Sequence, residues 1–142
     1  MAFLTMEEFC AHLKPTDRLL GLDIGNKTIG VACGSILGGF ASSLSVIQRT
    51  KIAKDAAILL KHMKDYECNG IVAGWPLNVD GTVGARCQAV RDVMLEIMKH
   101  IPPVPVTFYD ERFSTKTSEE FLIKSVDMSR QRRGEIVDKM AA

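Results

Sequence analysis

The sequence predicts an α/β domain: a mixed five-stranded sheet in the order β-β-β-α-β-α-β-α, with helices on both faces. Three observations predict it. Residues 19–24 and 29–33 are short apolar runs parted by Gly25-Asn26-Lys27-Thr28, the pattern of a β-hairpin. From residue 50 onward the apolar period lengthens from two to three or four, then alternates with short strand-like runs, as crossover units require. Residues 71–75 are almost wholly apolar, which suits a strand covered on both faces.

Taken in order, residues 3–13 form a short amphipathic helix, with Thr5 as N-cap, Glu8 completing a capping box and Pro15 ending it. The hairpin follows, Gly25 and Asn26 offering the positive-φ tolerance of a tight turn. Gly38-Gly39 turns the chain into a third strand at 40–47. Ile52, Ala56, Leu59, Leu60 and Met63 recur at helical spacing, and Asn69-Gly70 is the expected stop. After the strand at 71–75, residues 76–82 are rich in turn formers and read as a loop. Val90, Val93, Met94, Ile97 and Met98 stripe a helix over 83–101 that Pro102-Pro103 terminates. A fifth strand covers 104–109. A helix capped by Ser114 or Thr115 runs to about Lys124, and residues 135–142 are again helical in pattern. The whole chain, 1–142, is one domain, with residues 1–16 as a short N-terminal helix extension.

Composition narrows the function classes. Hydrophobic residues make up 46% and charged residues 25%, an ordinary globular balance. A net charge of +1 means that nucleic-acid binding needs a local basic patch, not a global field. No apolar run reaches membrane-spanning length, and the acidic N-terminus, with Glu7 and Glu8, does not resemble a secretory signal, so a cytoplasmic protein is expected. Cys10, Cys33, Cys68 and Cys87 form no C-x-x-C pair, which points to reduced thiols and away from zinc.

The chemistry centres on Asp23, a carboxylate inside an apolar strand. Burying that charge is costly unless it caps the turn, pairs with Lys27 or meets a metal ion. Asn78, Asp80 and Asp110-Glu111 likewise fall after strands, at the carboxyl ends where such sheets gather their sites. Carboxylates converging from separate strands repel one another unless a cation lies between them. Hard divalent ions with oxygen ligands do this work in phosphodiester hydrolysis. Asp23, Glu111 and either Asp138 or Glu135 are the carboxylates available for it.

Four segments carry a resemblance. Gly21-Leu22-Asp23-Ile24-Gly25-Asn26-Lys27, Gly74-Trp75-Pro76-Leu77-Asn78-Val79-Asp80-Gly81, Asp110-Glu111-Arg112-Phe113-Ser114-Thr115 and Val137-Asp138-Lys139-Met140-Ala141-Ala142 resemble the YqgF/RuvX-like family of pre-16S rRNA nucleases and Holliday-junction-resolvase-like proteins. The resemblance implies an RNase H-like fold and a nuclease dependent on Mg²⁺ or Mn²⁺. It also implies that Asp23, Glu111 and Asp138 form the catalytic, metal-binding trio. The chain departs from the family at Thr28, where an arginine is common, and at Gly34-Ser35, where Ser-Asp is common. The chain stops at Ala142, where the family's terminal helix is longer.

For substrate contact the sequence offers Lys27, Asn78, Arg86, Arg112, Arg130, Arg132 and Arg133, with Arg91 as a further cation. Such cations supply the sequence-independent part of nucleic-acid affinity. Trp75 reads as a strand-end core residue more readily than as a stacking platform. The resemblance implies structured RNA as the substrate, the 5′ end of pre-16S ribosomal RNA in particular, and the expected assembly is a monomer or homodimer. The alternatives are a branched-DNA resolvase and a catalytically weak nucleic-acid-binding module. Asp23-x-Gly25 also resembles the phosphate loop of actin-like ATPases, but those pair two such domains and 142 residues supply one.

Overall fold

The computed structural model describes residues 3–76, 78, 80–110, 123 and 126. Its centre is a sheet in the spatial order β3-β2-β1-β4-β5. β1 (Arg18–Ile24), β2 (Thr28–Ser35) and β3 (Phe40–Gln48) form the antiparallel half, while β4 (Cys68–Trp75) and β5 (Val106–Asp110) run parallel to β1. Alternation of side chains along the strands creates two cores. On one face Leu20, Leu22, Ile71 and Ala73 pack with Leu59 and Met63 of α2 (Ile52–Asp65) and with Val90, Met94 and Ile97 of α3 (Ala85–Met98). On the other, Leu19, Ala32 and Val72 pack with Phe9 of α1 (Met6–Ala11) and with Val126. Helical residues therefore cover both faces, as the alternating sequence pattern predicts.

The α1 capping box forms as expected: Glu8 N donates to Thr5 Oγ1 at 3.1 Å, and Thr5 N donates to Glu8 Oε1 at 3.0 Å. Leu4 extends the sheet beyond β5, its amide donating to Val106 O at 2.9 Å and its carbonyl accepting from Thr107 Oγ1 at 2.7 Å. The expected helix over 83–101 is shorter at both ends. Gly84 supplies an extended N-cap, and Lys99 is the C-cap ahead of the two prolines. The helix expected from Ser114 or Thr115 lies almost wholly outside the described residues. Ile123 within this stretch and Val126 just beyond it are helical, and Val126 is fully buried.

Two local expectations are corrected. The hairpin turn uses no positive φ at Gly25 or Asn26. Instead Gly25 N donates to Thr28 O at 2.8 Å, and a side chain from β3's end completes the turn. Asn69-Gly70 does not stop α2, because both residues already belong to β4. The chain leaves α2 through Glu67, whose φ of 55° is the left-handed conformation that ends helices.

Candidate active site

Parallel pairing brings the carboxyl ends of β1, β4 and β5 to one edge of the sheet, where Ile24, Trp75 and Asp110 are the last strand residues. Asp23 sits on this edge, half-buried. Leu20, Leu22 and Ile24 point into the α2/α3 core, so alternation sets Asp23 on the opposite face, shared with Leu19. Its antiparallel partner is Gly30. The parallel register continues one step from Leu22–Ala73 to set Gly74 on its other side, and Gly74 pairs with Tyr109. Across four strands the row therefore reads Gly30, Asp23, Gly74, Tyr109. Glycine in a strand interior marks a place of close approach, and here it stands on both sides of the carboxylate.

That setting fits a hard divalent cation, which takes oxygen donors and keeps part of its water shell. Asp23 could supply carboxylate oxygens to such an ion, and the flanking glycines add no side chain from either neighbouring strand. No group of three His, Cys, Asp or Glu side chains is assembled among the described residues. Glu111 and Asp138, the other two members of the expected trio, lie outside the described residues, as do Arg112, Arg130, Arg132 and Arg133.

Tyr109 and Asp110 are described. Asp110 pairs with Trp75, one step along from the Gly74–Tyr109 pair, and so stands on the other face. Burial, and then the charge of Asp110, push the Tyr109 phenol above its ordinary value. Tyr109 is thus a protonated hydroxyl in Asp23's row, which sequence reasoning passed over because it saw only the Asp-Glu-Arg that follows. Trp75 is half-buried and packs on Phe108 in a tilted pair at 4.6 Å between ring centroids, and Phe108 meets Phe3 edge-on at 4.6 Å. This is the core role expected of it.

The loop after β4 is held by its own polar groups. Asn78 N donates to Thr82 O at 3.0 Å, and Asn78 Nδ2 donates to Thr82 Oγ1 at 3.0 Å. Asp80 Oδ1 accepts from Thr82 N at 3.0 Å and from Thr82 Oγ1 at 2.7 Å. Gly81, at φ 90°, closes the turn onto Asn78 O at 2.8 Å. Gly84 then presses against the Asn78 amide so closely that a Cβ there would lie 2.9 Å from it. Part of Asn78's hydrogen-bonding capacity is therefore spent on shaping the loop that delivers α3 to the edge.

Lys27 is exposed in the hairpin turn, and Arg86 is exposed on the first turn of α3. Neither forms an ion pair among the described residues. Arg49, just past β3, was not singled out by sequence because no motif surrounds it. Its amide donates to Lys27 O at 2.9 Å and its Nη1 to Gly25 O at 2.7 Å, so it clamps the turn that follows Asp23. Arg49 and Arg86 line one cavity of about 80 Å³ at this sheet edge, with Ile24, Asn26 and Pro76 in its walls.

Compared with known proteins, the sequence matches the family described as "RuvX: Holliday junction resolvase" over residues 17–142. The chain belongs to this family. A protein of Caulobacter sp. (strain K31) named "Putative pre-16S rRNA nuclease" is 44% identical over the full chain, which spans 87% of that relative. A relative of the same name from Paracoccus denitrificans is 44% identical over 96% of the chain and 85% of its own length. Among solved structures, Thermus thermophilus RuvC superposes on this RuvX-family chain with a TM-score of 0.54 at 12% identity, covering 82% of this chain and 96% of that one. The likeness at so low an identity shows that the two share a fold, the RNase H-like architecture expected from the sequence.

Proposed function

We propose that this chain is a divalent-metal-dependent nuclease that hydrolyses phosphodiester bonds in structured RNA, acting at the 5′ end of the pre-16S ribosomal RNA. The observation that carries the reading is the row Gly30, Asp23, Gly74, Tyr109: a half-buried carboxylate with glycines on both sides, at the carboxyl edge of the parallel strands. Full-length relatives that carry the pre-16S rRNA nuclease name support the substrate. Asp23, Glu111 and Asp138 would hold the metal, Mg²⁺ or Mn²⁺. When bound, it supplies an activated water and stabilises charge on the leaving oxygen.

The chain's own groups do the rest. Asp23 is fixed on a central strand, so its carboxylate needs little reorganisation when substrate arrives. Tyr109, kept protonated, is a hydrogen-bond donor in the same row. Lys27 and Arg86 contribute positive charge at the edge over which a phosphate backbone would pass, and Asn78 holds the loop that presents α3. Arg112, Arg130, Arg132 and Arg133 would extend the contact along the nucleic acid. The protein works in the cytoplasm in this reading. No described helix is long and apolar enough to cross a membrane.

A second reading follows from the family description, which names a Holliday junction resolvase. Symmetric cutting of a four-way junction needs two active sites and therefore a homodimer, whereas RNA trimming needs only a monomer. The decisive experiment compares cleavage of a labelled precursor-like RNA and a four-way DNA junction, each with Mg²⁺, Mn²⁺ or EDTA. Wild-type protein is run beside Asp23→Asn, which keeps size and removes charge. Metal-dependent cutting of RNA, lost in Asp23→Asn with an unchanged melting curve, is the expected result. Cutting of the junction alone would shift the assignment to branched DNA. Binding without cutting of either would leave a nucleic-acid-binding module and overturn the nuclease reading.

A further inference from the structure

We propose that the cavity between the β1–β2 turn and α3 is a phosphate pocket, in which Arg49 and Arg86 grip one phosphate group of the nucleic acid beside the one at Asp23. The proposal rests on the nuclease reading for the identity of the ligand, and on the cavity itself for its chemistry. At about 80 Å³ it is several times the space one water needs, and large enough for a phosphate group. Two arginines line it from different elements, Arg49 just past β3 and Arg86 in the first turn of α3. Guanidinium is the side chain whose planar fork matches phosphate oxygens two at a time.

The two arginines are held differently. Arg49 is anchored by its Nη1 bond to Gly25 O at 2.7 Å, with a longer contact to Asn26 O at 3.4 Å. Five N–H donors sit on each guanidinium, so most of Arg49's remain for a ligand. Arg86 is exposed and makes no hydrogen bond or ion pair with a described residue. An anchored cation beside an exposed one without a described partner suits a ligand that arrives as part of a long chain. The first-turn amides of α3, whose Gly84 N-cap brings no side-chain hydrogen bond, add a favourable dipole on the same side.

The position relative to Asp23 supports a substrate role. Ile24, the neighbour of Asp23, is a wall of the cavity, yet the Asp23 carboxylate stands on the opposite face of the sheet. The positive pocket and the negative site are therefore adjacent along the edge and separated by the thickness of a strand. A nucleic-acid strand crossing this edge sets one phosphate on each side. The pocket thereby fixes the register of the bond presented to Asp23, a task of orientation and not of chemistry.

The test measures binding in EDTA, so that cleavage does not enter, by fluorescence anisotropy of one structured RNA with either a 5′-phosphate or a 5′-hydroxyl. Arg86→Ala is expected to weaken binding about tenfold and to reduce the dependence of log Kd on log salt by about one ion. Arg49→Lys, which keeps the charge and loses the fork, is expected to weaken binding by a smaller factor, measured at a temperature where its melting curve shows it folded. Lys99→Ala removes the same charge at the far end of α3, where Lys99 pairs with Glu96 at 2.8 Å, and is expected to leave binding unchanged. Equal loss for both RNA ends assigns an internal diester to the pocket. Loss confined to the 5′-phosphate RNA assigns a terminal monophosphate. Either supports the proposal. Wild-type affinity in Arg86→Ala, or a loss no greater than that of Lys99→Ala, overturns it. A chain that binds through both arginines but never cuts would retain the pocket and overturn only the nuclease reading.

Discussion

Cys33 and Cys68 show what the sheet does to single residues. They sit on the two strands flanking β1, their Sγ atoms 3.8 Å apart, and all four cysteines are free thiols, as their scattered spacing predicts. With Cys68 as donor to Cys33, the hydrogen bond favours the Cys33 thiolate, and Arg18 nearby adds to this, drawing the Cys33 thiol down to about 7. The same hydrogen bond and burial push Cys68 far up. A depressed folded pKa means that thiolate is present above about pH 7 and lost as pH falls through it. Alkylation by iodoacetamide, followed by peptide mass, is expected to modify Cys33 first, with a midpoint near pH 7. Cys68→Ala removes the donor and is expected to move that midpoint back toward the ordinary thiol range. An unmoved midpoint would show that the contact does not tune Cys33.

At the scale of elements, the join between α2 and β4 explains a glycine whose role was misread. Gly70 lies within β4, where a Cβ would stand 2.9 Å from Phe9 Cζ, 3.1 Å from Phe9 Cε1 and 3.3 Å from Leu19 Cδ2. The ring of Phe9 is fully buried, so a Cβ at position 70 would have to displace a core side chain. Gly70 is a notch that lets α1 seat against the sheet. Gly70→Ala is expected to destabilise the protein by about 1–3 kcal/mol, the usual range for overpacking a closed core. Urea unfolding measures this, and a midpoint equal to wild type would mean that α1 seats without the notch. Asp55 on α2 plays a related structural part. It is 2% exposed and accepts from Thr50 N at 3.1 Å and Thr50 Oγ1 at 2.9 Å, which ties the helix to the strand before it.

For the molecule as a whole, the segment read as an N-terminal extension is built into the sheet and its second core. Phe9 and Leu13 are buried there, and Leu4 covers part of the β5 edge through its two backbone bonds. Open strand edges invite pairing with other chains, and a core stripped of one layer exposes apolar area. Deletion of residues 1–16 is therefore expected to lower the melting temperature and to shift the protein toward oligomers on size exclusion. A deleted chain that stays monodisperse with unchanged melting would show that α1 is dispensable. The same sheet order sets the site: with β1 central, Asp23 is flanked by strands on both sides, while β3 and β5 take the edges.

How much of this was legible depends on range. The sequence by itself determined the class of fold and the order of its elements through β5, and it singled out Asp23 as the candidate site residue, because hydrophobic period, capping residues and a carboxylate in an apolar strand are local signals. The Thr5–Glu8 box and the apolar strand ending at Trp75 were readable for the same reason. Only the tertiary structure decided that Gly30 and Gly74 flank Asp23, that Tyr109 shares its row, and that Gly70 accommodates Phe9. It alone brought Arg49 to Arg86, residues 37 positions apart by their numbering, around one cavity. These facts depend on register and on the meeting of distant segments. A residue's own neighbours in sequence carry no trace of either.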